Sequence, residues 1–185
     1  MNEQKDKPMS DFGFKIMSLV FALFYRFKNF EKDLEKSDIK GGQTVLDFGC
    51  GPGYHTISAA KIVGEHGKVY ALDIHPLAIK TVEEKAEKEG LTNIATILSN
   101  RDTGLPNESV DVILLIDTLN MIKDKRILLK ELHRVMKQNG ILSILVTHMK
   151  VKDALEIAEN DGLFYLKKQF IHDISRGKLL NFKRK

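Results

Sequence analysis

Short apolar runs alternate with charged, turn-rich intervals along most of this chain. Thr44–Phe48, Lys68–Asp73, Ile94–Leu98, Val110–Ile116 and Ile141–Val146 are brief and mostly apolar, and each predicts a strand. Between them the apolar positions change to helical spacing. Ile79, Val82 and Ala86 share one face of a stretch from His75-Pro76 to about Glu89. Further helices are predicted over about 54–63, 124–136 and 153–160. Residues 164–170 and 178–182 predict two last strands, an antiparallel pair at the sheet edge. Upstream, Ser10 or Asp11 caps a helix expected to reach about Phe30, with apolar and aromatic side chains on more than one face. Alternating strands and helices predict an α/β fold: a doubly wound, mostly parallel seven-stranded sheet with an antiparallel edge strand. The chain divides into an aromatic N-terminal segment, 1–37, and an α/β domain, 38–185.

One interval departs from ordinary turn chemistry. After Asp47-Phe48, glycines fall at alternate positions, Gly49, Gly51 and Gly53, and Tyr54 then opens a helix. A strand turning through glycines into a helix lets a ligand approach the backbone, and helix N-terminal amides favour an anionic group. Asp47, Asp73 and Asp117 all fall at predicted carboxyl ends of strands, where doubly wound sheets bind ligands.

Composition narrows the chemistry. The chain has 185 residues, 43% hydrophobic and 29% charged, which supports one folded core. A net charge of +4 disfavours nucleic acid as the partner. A single cysteine, Cys50, excludes an internal disulfide and fits a cytoplasmic setting, and the six histidines show no close ligand spacing, so no metal is expected. The longest apolar run, Ile16–Tyr25, is too short to span a bilayer.

Two ligands compete for the glycine loop. A nicotinamide dinucleotide site has a third glycine where this chain has Tyr54, and Asp47 would repel a diphosphate. S-adenosylmethionine fits better. Asp47 can pair with its ammonium, and amides of the Gly49–Gly53 loop can face its carboxylate. Asp73, 20 residues past Gly53, can accept the ribose hydroxyls. Ile74 can lie against the adenine, and Asp102 can accept from the adenine amine.

At these residues the chain resembles the class I S-adenosylmethionine-dependent methyltransferases. The resemblance is carried by Val45–Gly53, Val69–Asp73, Leu105–Val112 and Leu128–Gly140. Within that superfamily it looks closest to the branch that includes the ubiquinone and menaquinone C-methyltransferases. The resemblance implies a cofactor site of Asp47, Phe48, Gly49, Cys50, Gly51, Gly53, Tyr54, Asp73, Ile74 and Asp117, with Arg101 and Asp102 both fitting the adenine-loop position. The family often has a histidine after the fourth strand where Asn120 stands here, and a Pro-Gly-Gly turn where Lys137–Gly140 stands.

Transfer from a sulfonium needs alignment more than acid–base groups, so no strong catalytic constellation is expected. Asn120, His148 and Tyr25 are the candidates for placing the acceptor. Asp117-Thr118-Leu119-Asn120 lacks the Pro-Pro-Tyr of nucleic-acid adenine methylases, and one cysteine disfavours arsenite as acceptor. The aromatics near the N-terminus point to a small apolar or aromatic acceptor. A non-catalytic binding subunit of the same fold and peripheral membrane contact through residues 10–30 are the alternative expectations.

Overall fold

The computed structural model describes residues 6–25, 30–171, 175 and 177–185, with the backbone alone at 24, 25 and 33. Among the described residues, six helices and seven strands run in the order α1 (Asp11–Tyr25), α2 (Phe30–Glu35), β1 (Thr44–Phe48), α3 (Tyr54–Val63), β2 (Lys68–Asp73), α4 (Pro76–Lys88), β3 (Ile94–Leu98), β4 (Val110–Ile116), α5 (Lys125–Val135), β5 (Met136–Val146), α6 (Val151–Glu159), β6 (Phe164–Ile171) and β7 (Lys178–Arg184). The strands form one sheet in the order β3-β2-β1-β4-β5-β7-β6. β1 to β5 pair in parallel, and β7 lies between β5 and β6, antiparallel to both.

Both faces of the sheet are covered, which is why its central strands are nearly all apolar. Successive residues of a strand point to opposite faces. Val45, Val112 and Leu114 pack with Ala59, Ala60 and Val63 of α3 and Leu34 of α2. Leu46, Ile113 and Leu115 pack the other way, with Leu128, Leu129 and Leu132 of α5 and Ala154 and Ala158 of α6. The strand order reverses between β1 and β4, opening a crevice at the carboxyl ends.

The N-terminal helix is described over Asp11–Tyr25 and helix again over Phe30–Glu35; the expected course through residues 26–29 lies outside the described residues. One local expectation changes. At the far end of the chain's fourth crossover, β5 starts directly at Met136. The expected Gln138-Asn139-Gly140 turn is a bulge within the ladder, where pairing steps from Val110↔Met136 to Val112↔Ile141. Lys137 stays anchored there by an ion pair to Asp111 at 2.8 Å.

Candidate functional site

The loop after β1 is shaped by what crowds it. Gly49 has φ +78, and a Cβ there would lie 2.5 Å from the Thr118 side chain, whose hydroxyl donates to Ile116 O. Gly53 has φ +83, and a Cβ there would meet Val82 of α4 at 2.7 Å. Only a residue without a side chain satisfies both the left-handed backbone and the close approach. A Cβ on Gly51 would meet nothing within 4 Å.

That open side belongs to a cavity of about 390 Å³ over the crevice. Asp47, Phe48, Gly49, Cys50, Gly51 and Tyr54 line it from the first turn of the sheet, and Asp73 and Ile74 from the end of β2. Asp117, Asn120 and His148 line it from the ends of β4 and β5. Gly53 stands behind the loop, against α4. Tyr25 ends α1, and its side chain lies outside the described part.

The adenine-loop candidates are not brought to the cavity. Arg101 is 8% exposed and turned toward Asp124, 4.0 Å away. Asp102 is exposed, and its carboxylate accepts the Gly104 amide at 3.0 Å in a local turn. The preceding residue, Asn100, lines the cavity instead, and its buried Oδ1 has no hydrogen-bond partner in the protein. Two residues past the end of β3 is the only sequence signal that could have singled it out. The loop is pinned there by Ser99, whose amide donates to Asp73 O at 3.1 Å.

The loop amides also behave differently from expectation. Gly49 and Cys50 amides both donate to Leu72 O, the Gly53 amide to Cys50 O, and the Gly51 amide to Asp73 Oδ2 at 2.9 Å. The ring they close holds the loop in shape and leaves those four amides unavailable to an anion.

The acids carry the electrostatics. Asp47 is 2% exposed and accepts the Thr56 hydroxyl at 2.6 Å. Burial, with the neighbouring charge of Asp73, raises its pKa from 3.8 to about 6 against the opposing effect of Thr56. Asp73 accepts the Gly51 amide on one oxygen and the His75 amide, at 2.8 Å, on the other. A carboxylate has about four acceptor positions, so about two remain for a ligand. Asp117 has φ 51 and accepts the amide and hydroxyl of Thr147, joining the ends of β4 and β5. Neither Asp73 nor Asp117 caps a helix. His75 caps α4 through Nδ1, which accepts the Leu77 amide, and Asp124 caps α5. The Cys50 thiol is pushed well above its ordinary pKa by burial and both nearby acids, so it stays protonated.

Aromatic rings close the cavity on the outside. Phe14 of α1 lies 4.6 Å from the His75 ring, and His75 Nε2 is 3.7 Å from Asp11. Phe30 stacks on Tyr54 at 5.3 Å, and Phe21 meets Tyr54 edge-on at 6.5 Å. Lys85 Nζ sits 3.7 Å over the Tyr54 ring and donates to Pro52 O. This is what occupies the place of a third glycine. Phe14, Met17, Phe21, Phe30, Met121 and Ile122 complete the apolar lining. Among the described residues no group of acids, histidines and cysteine is arranged to hold a metal ion.

Residues 39–182 match a family described as a methyltransferase domain. A demethylmenaquinone methyltransferase of Geobacillus stearothermophilus is 35% identical over 126 residues, 67% of this chain and 54% of that protein. A ubiquinone/menaquinone biosynthesis C-methyltransferase of Escherichia coli is 32% identical over 148 residues, 79% of this chain and 58% of that protein. The chain thus spans little more than half the length of these curated relatives. A methyltransferase structure from Aquifex aeolicus superimposes with a TM-score of 0.78 at 23% identity, covering 95% of this chain and 98% of the other. A TehB-like methyltransferase from Corynebacterium glutamicum gives 0.77 at 17%, covering 95% and 100%. At such identities the likeness is one of fold.

Proposed function

The chain belongs to the methyltransferase-domain family, as a class I S-adenosylmethionine-dependent member, and on that premise we propose that it methylates a small, apolar, ring-shaped acceptor of the quinol type. One observation carries the reading: the cavity at the switch point carries Asp47, Asp73 and Asn100 at the ends of β1–β3 and is apolar and aromatic beneath α1 and α2, where Phe14, Met17, Phe21 and Phe30 line it.

The polar half fits S-adenosylmethionine. Asp47 and Asp73 together favour a cationic ammonium, beside a carboxylate whose pKa burial and the Asp73 charge raise. The spare acceptor positions of Asp73 suit two vicinal hydroxyls. Ile74 offers an apolar face to a purine, and Asn100 Oδ1 offers a buried acceptor for its amine. When bound, the cofactor supplies an activated methyl group whose leaving group departs neutral.

The chain's own task is then positioning. Met17, Phe21 and Phe30 keep water from the acceptor side and hold a planar ring. Asn120 and His148, both exposed at the mouth, orient the acceptor's oxygens. His148 also takes up the proton the acceptor releases and passes it to solvent. The similarity to a demethylmenaquinone methyltransferase favours a demethylmenaquinol.

Labelled-methyl transfer from S-adenosylmethionine to a short-chain demethylmenaquinol tests the acceptor. Transfer is expected, and is expected to fall in His148→Ala and Asn120→Ala while S-adenosylhomocysteine binding holds. Intact cofactor binding with no transfer removes the quinol reading and leaves the cofactor site standing.

A further inference from the structure

Asp117 stands apart from Asp47 and Asp73, the other two acids of the cavity. Its backbone is left-handed at the end of β4, with φ 51, a conformation that most side chains disfavour and that Asp and Asn tolerate best. Three contacts hold it there. The Asp117 amide donates to Leu145 O at 3.2 Å. Beside it the buried Thr118 hydroxyl donates to Ile116 O at 3.0 Å. Asp117 Oδ1 accepts both the amide and the hydroxyl of Thr147. The second oxygen, Oδ2, accepts no hydrogen bond from any described residue, and it is not enclosed. Resting on the ring-acceptor reading above, we propose that Asp117 Oδ2 accepts a hydrogen bond from a hydroxyl on the acceptor's ring and so selects the hydroxyl-bearing form over its carbonyl or ether counterpart.

Place and polarity both support this role. Asp47 and Asp73 belong to β1 and β2, whereas Asp117 follows β4, on the side of β1 away from β2. It lines the cavity together with Asn120 and His148, which serve the acceptor. The two donors of Thr147 require an oxygen opposite them, and they leave the other carboxylate oxygen for a ligand. A carboxylate oxygen only accepts. A hydroxyl satisfies it. A carbonyl or ether oxygen would set lone pairs against lone pairs and leave Oδ2 unpaired, which is how a hydrogen-bonding site rejects an analogue without the hydroxyl. Backbone strain of this kind gathers where a side chain must be held in one direction.

Asp117→Asn is the direct test, because Asn tolerates the same backbone and its amide oxygen satisfies Thr147. The amide nitrogen then faces the cavity, and an acceptor becomes a donor. Calorimetry on the complex with S-adenosylhomocysteine, using naphthol and its methyl ether as probes, reads the change without turnover. The parent is expected to bind naphthol about tenfold or more tighter than the ether. The variant is expected to lose that preference and to keep its affinity for S-adenosylhomocysteine. The same preference in both proteins, or none in the parent, overturns the proposal. Weakened S-adenosylhomocysteine binding in the variant places Asp117 on the cofactor and overturns it too. Labelled-methyl transfer to the demethylmenaquinol separates this proposal from the acceptor reading. No transfer by a parent that prefers naphthol removes the quinol and leaves the role of Asp117. Full transfer by Asp117→Asn removes that role and leaves the quinol.

Discussion

At the scale of single residues, Asp47 makes the sharpest prediction because its shift has the less common sign. Its folded-state pKa is about 6, above the ordinary 3.8. Between those values the folded protein holds a proton that the unfolded chain has released. Stability therefore falls as pH rises from about 4 to about 6, by about 3 kcal/mol, and stays at the lower level above that. Asp47→Asn removes the titration. Denaturant unfolding should find the variant more stable than the parent at pH 7 and equal to it below about pH 4. The same charge is what a cationic ligand would use, so S-adenosylhomocysteine affinity of the parent should weaken as pH falls through about 6, with a flatter profile in the variant. Equal pH profiles would remove Asp47 from the ligand's surroundings. Asn100 and Asp102 give a second contrast. Asn100→Leu deletes a buried acceptor facing the cavity and should weaken S-adenosylhomocysteine by about tenfold, whereas Asp102→Ala, exposed and turned into its own loop, should change it little by calorimetry.

At the scale of elements, the loop after β1 depends on two helices and a neighbouring strand end. Gly49→Ala would force a Cβ against Thr118 and hold a side-chain-bearing residue at φ +78. The two effects together should destabilise by about 2 to 4 kcal/mol. Adding Thr118→Ala removes the obstructing atoms but not the strained backbone, so the double variant should recover only part of the loss in thermal unfolding. This contact could not be read from the chain, since Gly49 and Thr118 are far apart in sequence. The glycine spacing itself could be read, because left-handed backbone between strand and helix leaves its mark in residue type. The same division runs through the other elements. Short apolar runs mark the strands, and Pro76 and Gly90 bound α4. The Lys137–Gly140 bulge was read as a turn because turn residues also suit a bulge. Arg101 and Asp102 attracted the adenine assignment by type, while the direction of the loop, set by the Ser99 amide on Asp73 O, presents Asn100.

At the scale of the whole molecule, the question is where the sheet's support begins. Composition suggests a break near residue 37, because the aromatic segment ends and Gly41-Gly42 follows. Packing argues for an earlier one. Leu34 of α2 is 2% exposed within the cluster formed by Val45, Ala59 and Val112. Just beyond α2, a buried polar chain reaches across the sheet: Ser37 Oγ pairs with Ser143 Oγ at 2.9 Å, Ser143 donates to Asn181 Oδ1, and Asn181 Nδ2 donates to Lys36 O. Such a network is stable only when complete, since each buried group left unpaired costs about 1 to 3 kcal/mol. We therefore propose that α2 is part of the α/β domain and that the separable segment ends before Phe30. A chain beginning at residue 30 should unfold cooperatively, near the full chain in midpoint, although it lacks the roof that Phe14, Met17 and Phe21 give the cavity. A chain beginning at residue 38 leaves Ser143 and Asn181 short of partners and empties the place of Leu34. It should lose about 4 kcal/mol or more. Leu34→Ala in the full chain separates packing from truncation and should by itself lose about 2 to 5 kcal/mol. Equal melting of the two truncations would place the boundary at residue 37 after all and make α2 an attachment to the domain.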